Sequence, residues 1–285
     1  MRVLVFGRTG QVARALIQAA PEQGAEVVAL SRATADLTDP EACAAAIAAS
    51  TAEVVINAAA YTGVDAAEAD ADTAHLVNAA APGAMARACA AKGVPFVHLS
   101  TDYVFDGSGS RPWRPQDAPA PLGAYGRSKL AGEEQVALAG GTYVILRTSW
   151  VFDGDGKNFL TTMLRLSETR DTLSIVADQV GGPTPALAIA RACLSIARTL
   201  WAGQKASGIY HFAGRPDVSW AEFARAIFAT FDRDVTVTEI PSAEYPTPAA
   251  RPGNSRLDCT TLDDVFGIVR PRWQDALDTI RKART

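Results

Sequence analysis

A doubly wound α/β fold, with a parallel sheet covered by helices on both faces, is predicted by three features of the chain. Short apolar, β-branched runs alternate with alanine-rich helical segments through the first half. A glycine turn stands between the first such run and the first helical segment. After about Arg147 the rhythm changes to Gly-, Pro- and polar-rich stretches, which predicts a second, smaller lobe.

The expected strands are Val3 to Phe6, Glu26 to Leu30, Val54 to Asn57, Phe96 to Leu99 and Tyr143 to Leu146. Runs this apolar suit strands buried on both faces of a parallel sheet. Between them, Glu41 to Ala49 and Ala74 to Ala91 have helical composition. Asp153-Gly-Asp-Gly-Lys157, Gly181-Gly-Pro-Thr-Pro185 and Pro241 to Pro252 break the pattern, and Gly208 to Phe212 reads as a final strand returning to the main sheet. The expected division is a dinucleotide-binding domain over residues 1–149 plus about 184–213, and a substrate-binding lobe over 150–183 and 214–285. The fold class is thus α/β, Rossmann-like, with an interleaved α/β substrate lobe.

A chain of 285 residues, 48% hydrophobic and 20% charged, can bury a substantial core. Its formal net charge of -4 and lack of a basic run speak against nucleic acid as a partner. Cys43, Cys89, Cys193 and Cys259 are scattered, with no CxxC pair and no zinc-ligand spacing, so they read as buried thiols in a reducing compartment. No apolar stretch approaches bilayer length, and the amino terminus lacks a secretory pattern. The expectation is a cytoplasmic protein without a membrane partner, working as a monomer or weak homodimer.

Gly7-Arg8-Thr9-Gly10-Gln11-Val12-Ala13 follows the first strand and opens the first helix. Glycines there let the backbone turn and approach a pyrophosphate, while the helix amino terminus offers unpaired N–H groups and a favourable dipole. Ala13, at the third small position, still permits close helix–strand packing. The second strand ends in Ala29-Leu30-Ser31-Arg32. An acidic residue there would accept a ribose 2′-hydroxyl, whereas arginine accommodates a 2′-phosphate, so Arg32 leans toward NADPH, with NADH as the other donor. A solvated surface charge is the plain alternative for Arg32.

Tyr125 and Lys129 stand four residues apart in a segment whose continuation, Ser128 to Val136, reads as helix, so both face one side. A free phenol has a pKa of about 10 and donates protons poorly near neutrality. A cation about 4 Å away contributes on the order of 4 kcal/mol at an effective dielectric of 20. That corresponds to roughly three pKa units, enough to make Tyr125 a general acid near pH 7. The pairing gains weight from Leu99-Ser100-Thr101-Asp102-Tyr103-Val104-Phe105-Asp106-Gly107, which follows the fourth strand. Doubly wound sheets place reactive groups at that end. Thr101 is expected to hydrogen-bond a substrate carbonyl opposite Tyr125, and a turn cap is its plain structural role.

Gly7 to Ala13, Asn57-Ala-Ala-Ala-Tyr61, Ser100 to Gly107 and Tyr125 to Lys129 resemble the extended short-chain dehydrogenase/reductase family. Leu146 to Phe152, Gly156 to Phe159, Asp178 to Thr184 and Arg251 to Asp258 are further similar to its reductases of dTDP-linked 4-keto-6-deoxy sugars. The resemblance implies Thr101, Tyr125 and Lys129 as a catalytic triad. It implies a cofactor site from Gly7, Gly10, Gln11, Val12, Arg32, Asp36, Leu37, Ala58, Ala59 and Tyr61, together with Tyr125 and Lys129. It implies a dTDP-sugar substrate facing Thr62, Val64, Thr101, Asp102, Tyr103, Tyr125, Trp150, Asn158 and Arg251. Plain alternatives are a core aromatic for Trp150, an exposed turn charge for Arg251 and a turn cap for Asp36. Asn78, awkward inside a helix, is expected either to touch the catalytic helix or to face solvent.

Dehydratases of the family carry Thr-Asp-Glu after the fourth strand, and Thr101-Asp102-Tyr103 lacks that base. Epimerases usually carry serine in place of Thr101. The implied activity is therefore reduction of a 4-keto sugar nucleotide. The alternatives are a reductase or epimerase of another such sugar, or a non-catalytic regulatory subunit of the same fold. Some relatives bridge a dimer through magnesium-binding glutamates of the second lobe. Ala186-Leu187-Ala188 offers none here, so no metal is expected.

Overall fold

The computed structural model describes residues 1–284. Its first half supplies β1 (Arg2–Phe6), β2 (Glu26–Leu30), β3 (Val54–Asn57), β4 (Phe96–Thr101) and β5 (Tyr143–Thr148). Next come β6 (Val151–Phe152), β7 (Thr172–Val176), β8 (Val180–Gly181) and β9 (Thr184–Pro185). The last strands are β10 (Gly208–His211), β11 (Val218–Ser219), β12 (Thr236–Ile240) and β13 (Asn254–Ser255). A six-stranded sheet runs β10-β5-β4-β3-β1-β2, and every neighbouring pair in it is parallel. Each strand predicted for this sheet forms, and the order reverses beside β1, as in a doubly wound fold.

Alternation along the strands explains why both faces are covered. In β1, Val3 and Val5 join one cluster while Leu4 and Phe6 join another, and all four are buried. The first cluster includes residues of α1 (Gln11–Ala19) such as Leu16. The second includes Ile47 of α2 (Pro40–Ala49). The four free cysteines are all buried.

The segment expected to be helical, Ala74 to Ala91, is helical throughout but widens by one π turn near its start. After α3 (Ala66–Ala69) come α4 (Ala71–His75), a π-helical turn over Leu76–Ala80 and α5 (Ala81–Lys92). The π turn carries Asn78, whose Oδ1 accepts from Tyr61 N–H at 2.9 Å and whose Nδ2 donates to Tyr61 O at 3.1 Å. Such single-turn widenings recur at functional sites. The helix expected from Ser128, α6 (Ala124–Leu138), starts four residues earlier, because Gly123 is extended and Glu68 accepts the Ala124 N–H at 2.7 Å.

The remaining helices are α7 (Phe159–Leu166), α8 (Ala186–Trp201), α9 (Trp220–Thr230), α10 (Thr260–Phe266) and α11 (Trp273–Arg284). Of these, α8 packs into the core with α1. A separate core forms from Phe152, Leu160, Ile175, Phe223, Ile227 and Trp273, drawn from β6, α7, β7, α9 and α11. It is bounded by the pairs β12-β7 and β6-β9 and the small sheet β11-β8-β13. Among the described residues no helix is long and apolar enough to cross a membrane.

What seats α6 is close backbone approach. A Cβ on Gly132 would overlap the carbonyl oxygen of Asn78, and one on Gly126 would overlap that of Tyr103. Both obstacles are backbone and cannot rotate away. Gly132→Ala should therefore cost about 1–3 kcal/mol of stability, read as a lower denaturation midpoint in urea.

Candidate functional site

The carboxyl ends of the sheet strands open into a cleft of about 1120 Å³. Gly7, at φ 110°, makes the turn out of β1 in a conformation that favours glycine. Its missing side chain leaves room for Ala13 Cβ and the Ala58 carbonyl, each within 3.4 Å of where a Cβ would sit. Gly10 is the N-cap of α1, without a side-chain cap or an acidic residue in the first turn. The unpaired helix N–H groups therefore face the cleft uncontested. Gln11 Oε1 is buried without a partner. An exposed backbone cradle and a free helix dipole fit a dinucleotide's pyrophosphate.

At the end of the cleft beside β2, Arg32 Nε donates to Asp36 at 3.0 Å, and Asp36 Oδ1 also accepts from Thr38 N–H at 2.9 Å. The Thr38 and Arg32 hydrogen bonds hold the Asp36 carboxyl down at about 2. Asp36 is thus a turn cap and an arginine partner, while both residues line the cleft. The Arg32 guanidinium remains largely exposed.

At the opposite end, Thr101 is the last residue of β4 and faces α6. It caps the next turn by accepting from Tyr103 N–H at 3.2 Å, and it donates to Asp102 Oδ1 at 3.1 Å. Tyr125 lies edge-on to Tyr103, with ring centroids 5.5 Å apart. Burial pushes its phenol up from the ordinary value; a hydrogen bond with Thr101 opposes this and the charge of Asp102 adds to it. Burial thus leaves the phenol above its ordinary value, where the spacing of Tyr125 and Lys129 had led to the expectation of a phenol brought near neutrality. The Lys129 Nζ is instead drawn to Leu99 O at 2.7 Å, and its own burial lowers it to about 8. Desolvation outweighs the pairwise attraction assumed from spacing.

Asp102 is 3% exposed, and its Oδ2 has no partner. Desolvation raises its pKa to about 6, against hydrogen bonds from Ser255 and Thr101. Trp150 adopts φ 49°, an uncommon backbone conformation for a bulky residue, and stacks on Trp220 with centroids 3.4 Å apart. It is half-buried and forms a wall of the cleft rather than core.

Of the residues singled out from sequence, Gly7, Gly10, Gln11, Val12, Arg32, Asp36, Leu37, Ala58, Ala59 and Tyr61 line this cleft. So do Thr62, Val64, Thr101, Asp102, Tyr103, Tyr125, Lys129 and Trp150. Asn158 does not. It is the N-cap of α7, accepting from Thr161 N–H at 3.1 Å and donating to Asp153 O and Asp155 O. Arg251 also lies off the cleft wall, paired with Asp65 at 2.7 Å behind Tyr103, with which it hydrogen-bonds. Asn78 resolves toward the catalytic helix: it is buried and donates to Ser128 Oγ at 3.0 Å.

Reading from sequence missed Ser100, Thr148, Ser149 and Lys157, which also line the cleft. The first three stand at or just beyond the carboxyl ends of β4 and β5, so the rule that pointed to Thr101 applied to them as well. Lys157 arrives on a loop whose path depends on Arg14, which donates to Asp153 at 3.2 Å. No local pattern marks that tie.

The chain matches the family described as the RmlD substrate binding domain over residues 1–285. It is 44% identical to a dTDP-4-dehydrorhamnose reductase of Sinorhizobium fredii, covering 97% of this chain and 95% of that one. Identity to the Burkholderia thailandensis protein of the same name is 45%, with 97% of each chain covered. The solved dTDP-4-dehydrorhamnose reductase of Clostridium acetobutylicum superposes with a TM-score of 0.93 at 35% identity, covering 100% and 99% of the two chains. That of Bacillus anthracis, in complex with NADP, gives 0.92 at 31% identity, with 100% and 99% covered.

For Asp102 the folded-state pKa lies above the unfolded one, so its contribution to stability is present below about 4 and lost as pH rises through about 6. Asp102→Asn should flatten stability over that window, measured by urea denaturation at a series of pH values.

Proposed function

The chain belongs to the family described as the RmlD substrate binding domain, and from that footing we propose that it reduces dTDP-4-dehydro-L-rhamnose to dTDP-L-rhamnose with NADPH. The observation that carries this reading is the convergence of Thr101, Tyr125 and Lys129 on the cleft that also contains the Gly7–Gly10 cradle. A pure binding module has no need of a phenol and a buried lysine one helical turn apart on its cleft wall. Residues 1–149 with 184–213 hold the cofactor, and 150–183 with 214–285 close the sugar-nucleotide side. Within this proposal the protein works in the cytoplasm as a monomer or weak homodimer.

When bound, the reduced nicotinamide supplies the hydrogen and electron pair that add to carbon four of the sugar. Everything else falls to the protein. Gly7, Gly10 and the amino terminus of α1 hold the pyrophosphate through backbone N–H groups. Tyr125 gives its hydroxyl proton to the carbonyl oxygen as negative charge develops there, and Thr101 hydrogen-bonds the same oxygen. Burial keeps Tyr125 protonated until that moment, so a full proton is available at the oxygen. Lys129 supplies a donor to the cofactor ribose and balances the charge left on Tyr125. Asp102, with a free carboxylate oxygen, accepts a sugar hydroxyl, while Trp150 and Tyr103 exclude water from that end.

Incubation with the ketosugar and NADPH should consume the reduced cofactor's absorbance, with dTDP-L-rhamnose identified by NMR. A flat trace would sink the reading. Tyr125→Phe should lower kcat by about 10²–10⁴-fold with cofactor affinity little changed. Arg32→Ala should raise the KM for NADPH by about tenfold and leave that for NADH nearly as it was, separating a 2′-phosphate contact from a solvated charge.

A further inference from the structure

Behind Lys129, on the side away from the cleft, lies a buried polar chain that the proposed reaction does not use. Asn57 of β3 and His98 of β4 are register partners in the sheet, so their side chains share the face covered by α6. Asn57 is 1% exposed and His98 is fully buried. Asn57 Nδ2 meets His98 Nδ1 at 3.2 Å, and His98 Nε2 meets Lys129 Nζ at 3.3 Å.

The order of donors along this chain is set by one backbone group. Ala59 N–H donates to Asn57 Oδ1 at 3.1 Å. A backbone N–H cannot reverse, so the amide oxygen is committed and the amide Nδ2 turns to the imidazole. His98 Nδ1 must then accept, which leaves the proton of the neutral ring on Nε2. That proton points at Lys129. An imidazolium would present two donors to two donor groups, and burial disfavours it further.

We propose that Asn57 and His98 are a positioning pair for Lys129, locking the imidazole as the Nε2–H tautomer so that it favours the uncharged amine. The amine accepts from His98 and donates to Leu99 O. The ammonium becomes the preferred form when a ligand in the cleft adds an acceptor on its open side.

The other groups around Lys129 do not undo this. Glu133, one turn along α6, favours the ammonium, but its carboxylate is held by Arg147 of β5 at 2.6 Å and accepts from Ser100 Oγ at 2.5 Å. Tyr125, one turn back, is protonated, and Asp102 on the turn after β4 is engaged by Thr101 and Ser255. His98 is therefore the polar group from the sheet that meets Lys129 directly besides the Leu99 carbonyl.

The molecule carries its own control. His211, the other buried histidine, places Nδ1 against Trp113 O at 3.0 Å and Nε2 against the Arg147 guanidinium at 3.5 Å, which demands the opposite tautomer. Long-range ¹H–¹⁵N NMR on the unliganded protein at pH 7 should show one buried ring of each tautomer, with the exposed His75 identified by His75→Gln. Two Nδ1–H rings would overturn the proposal, and so would a charged His98. This arm needs no variant at His98 and no turnover.

The second arm rests on the reductase reading. In His98→Gln, the amide oxygen can face Lys129 and stabilise the ammonium. The alkaline limb of kcat should then move up by about one pH unit. An unmoved limb overturns the proposal. Loss of cofactor oxidation in the unmodified protein would instead count against the reductase reading, leaving the tautomer result to stand alone.

Discussion

The site depends on a close contact between backbones. Helix α6 can lie against the π turn and the segment after β4 only because Gly132 and Gly126 leave room for the carbonyl oxygens of Asn78 and Tyr103. A helix set further out would carry Tyr125 and Lys129 away from Thr101, whose position is fixed by the sheet. The contact is also tied by side chains. Asn78 bonds at once to the Tyr61 backbone and to Ser128 of α6, so the loop after β3 and the helix are tied together.

Burial then governs the chemistry. Charged groups taken out of water favour their neutral forms unless paired. Tyr125 is pushed up, Lys129 down and Asp102 up, all with desolvation as the leading cause. Glu133 and Arg147, both buried, form a bidentate pair in the interior. Together with Ser100, they pin the middle of α6 to the ends of β4 and β5. Free polar atoms remain in the cleft itself, at Gln11 and Asp102, where a ligand can satisfy them.

Much of the fold was legible because the signals are local. Val54 to Asn57 and Phe96 to Leu99 are continuous apolar runs, and a parallel sheet covered on both faces is where such runs are stable. Gly7 and Gly10 stood between strand and helix, a placement that fixes their use. The widening of the helix within Ala74 to Ala91 was not legible, since alanine composition favours an ordinary helix throughout. The π turn there is a response to Tyr61, which lies more than a dozen residues away. Asn158 and Arg251 show a similar dependence on the fold: each meets partners, Asp153 and Asp155 or Asp65, that local spacing does not announce.

The amino-acid order by itself determined which segments became strands, where the backbone could turn tightly, and that a phenol and an amine would share one helical face. Those outcomes follow from periodicity, glycine and hydrophobicity, which act over a few residues. Only the tertiary structure decided the protonation tendencies of that pair, because they depend on how much water the surrounding lobes exclude. It likewise decided that the Lys129 Nζ would meet His98 and the Leu99 carbonyl. Desolvation and hydrogen-bond direction are properties of an assembled interior, and a linear chain holds them only once it has folded.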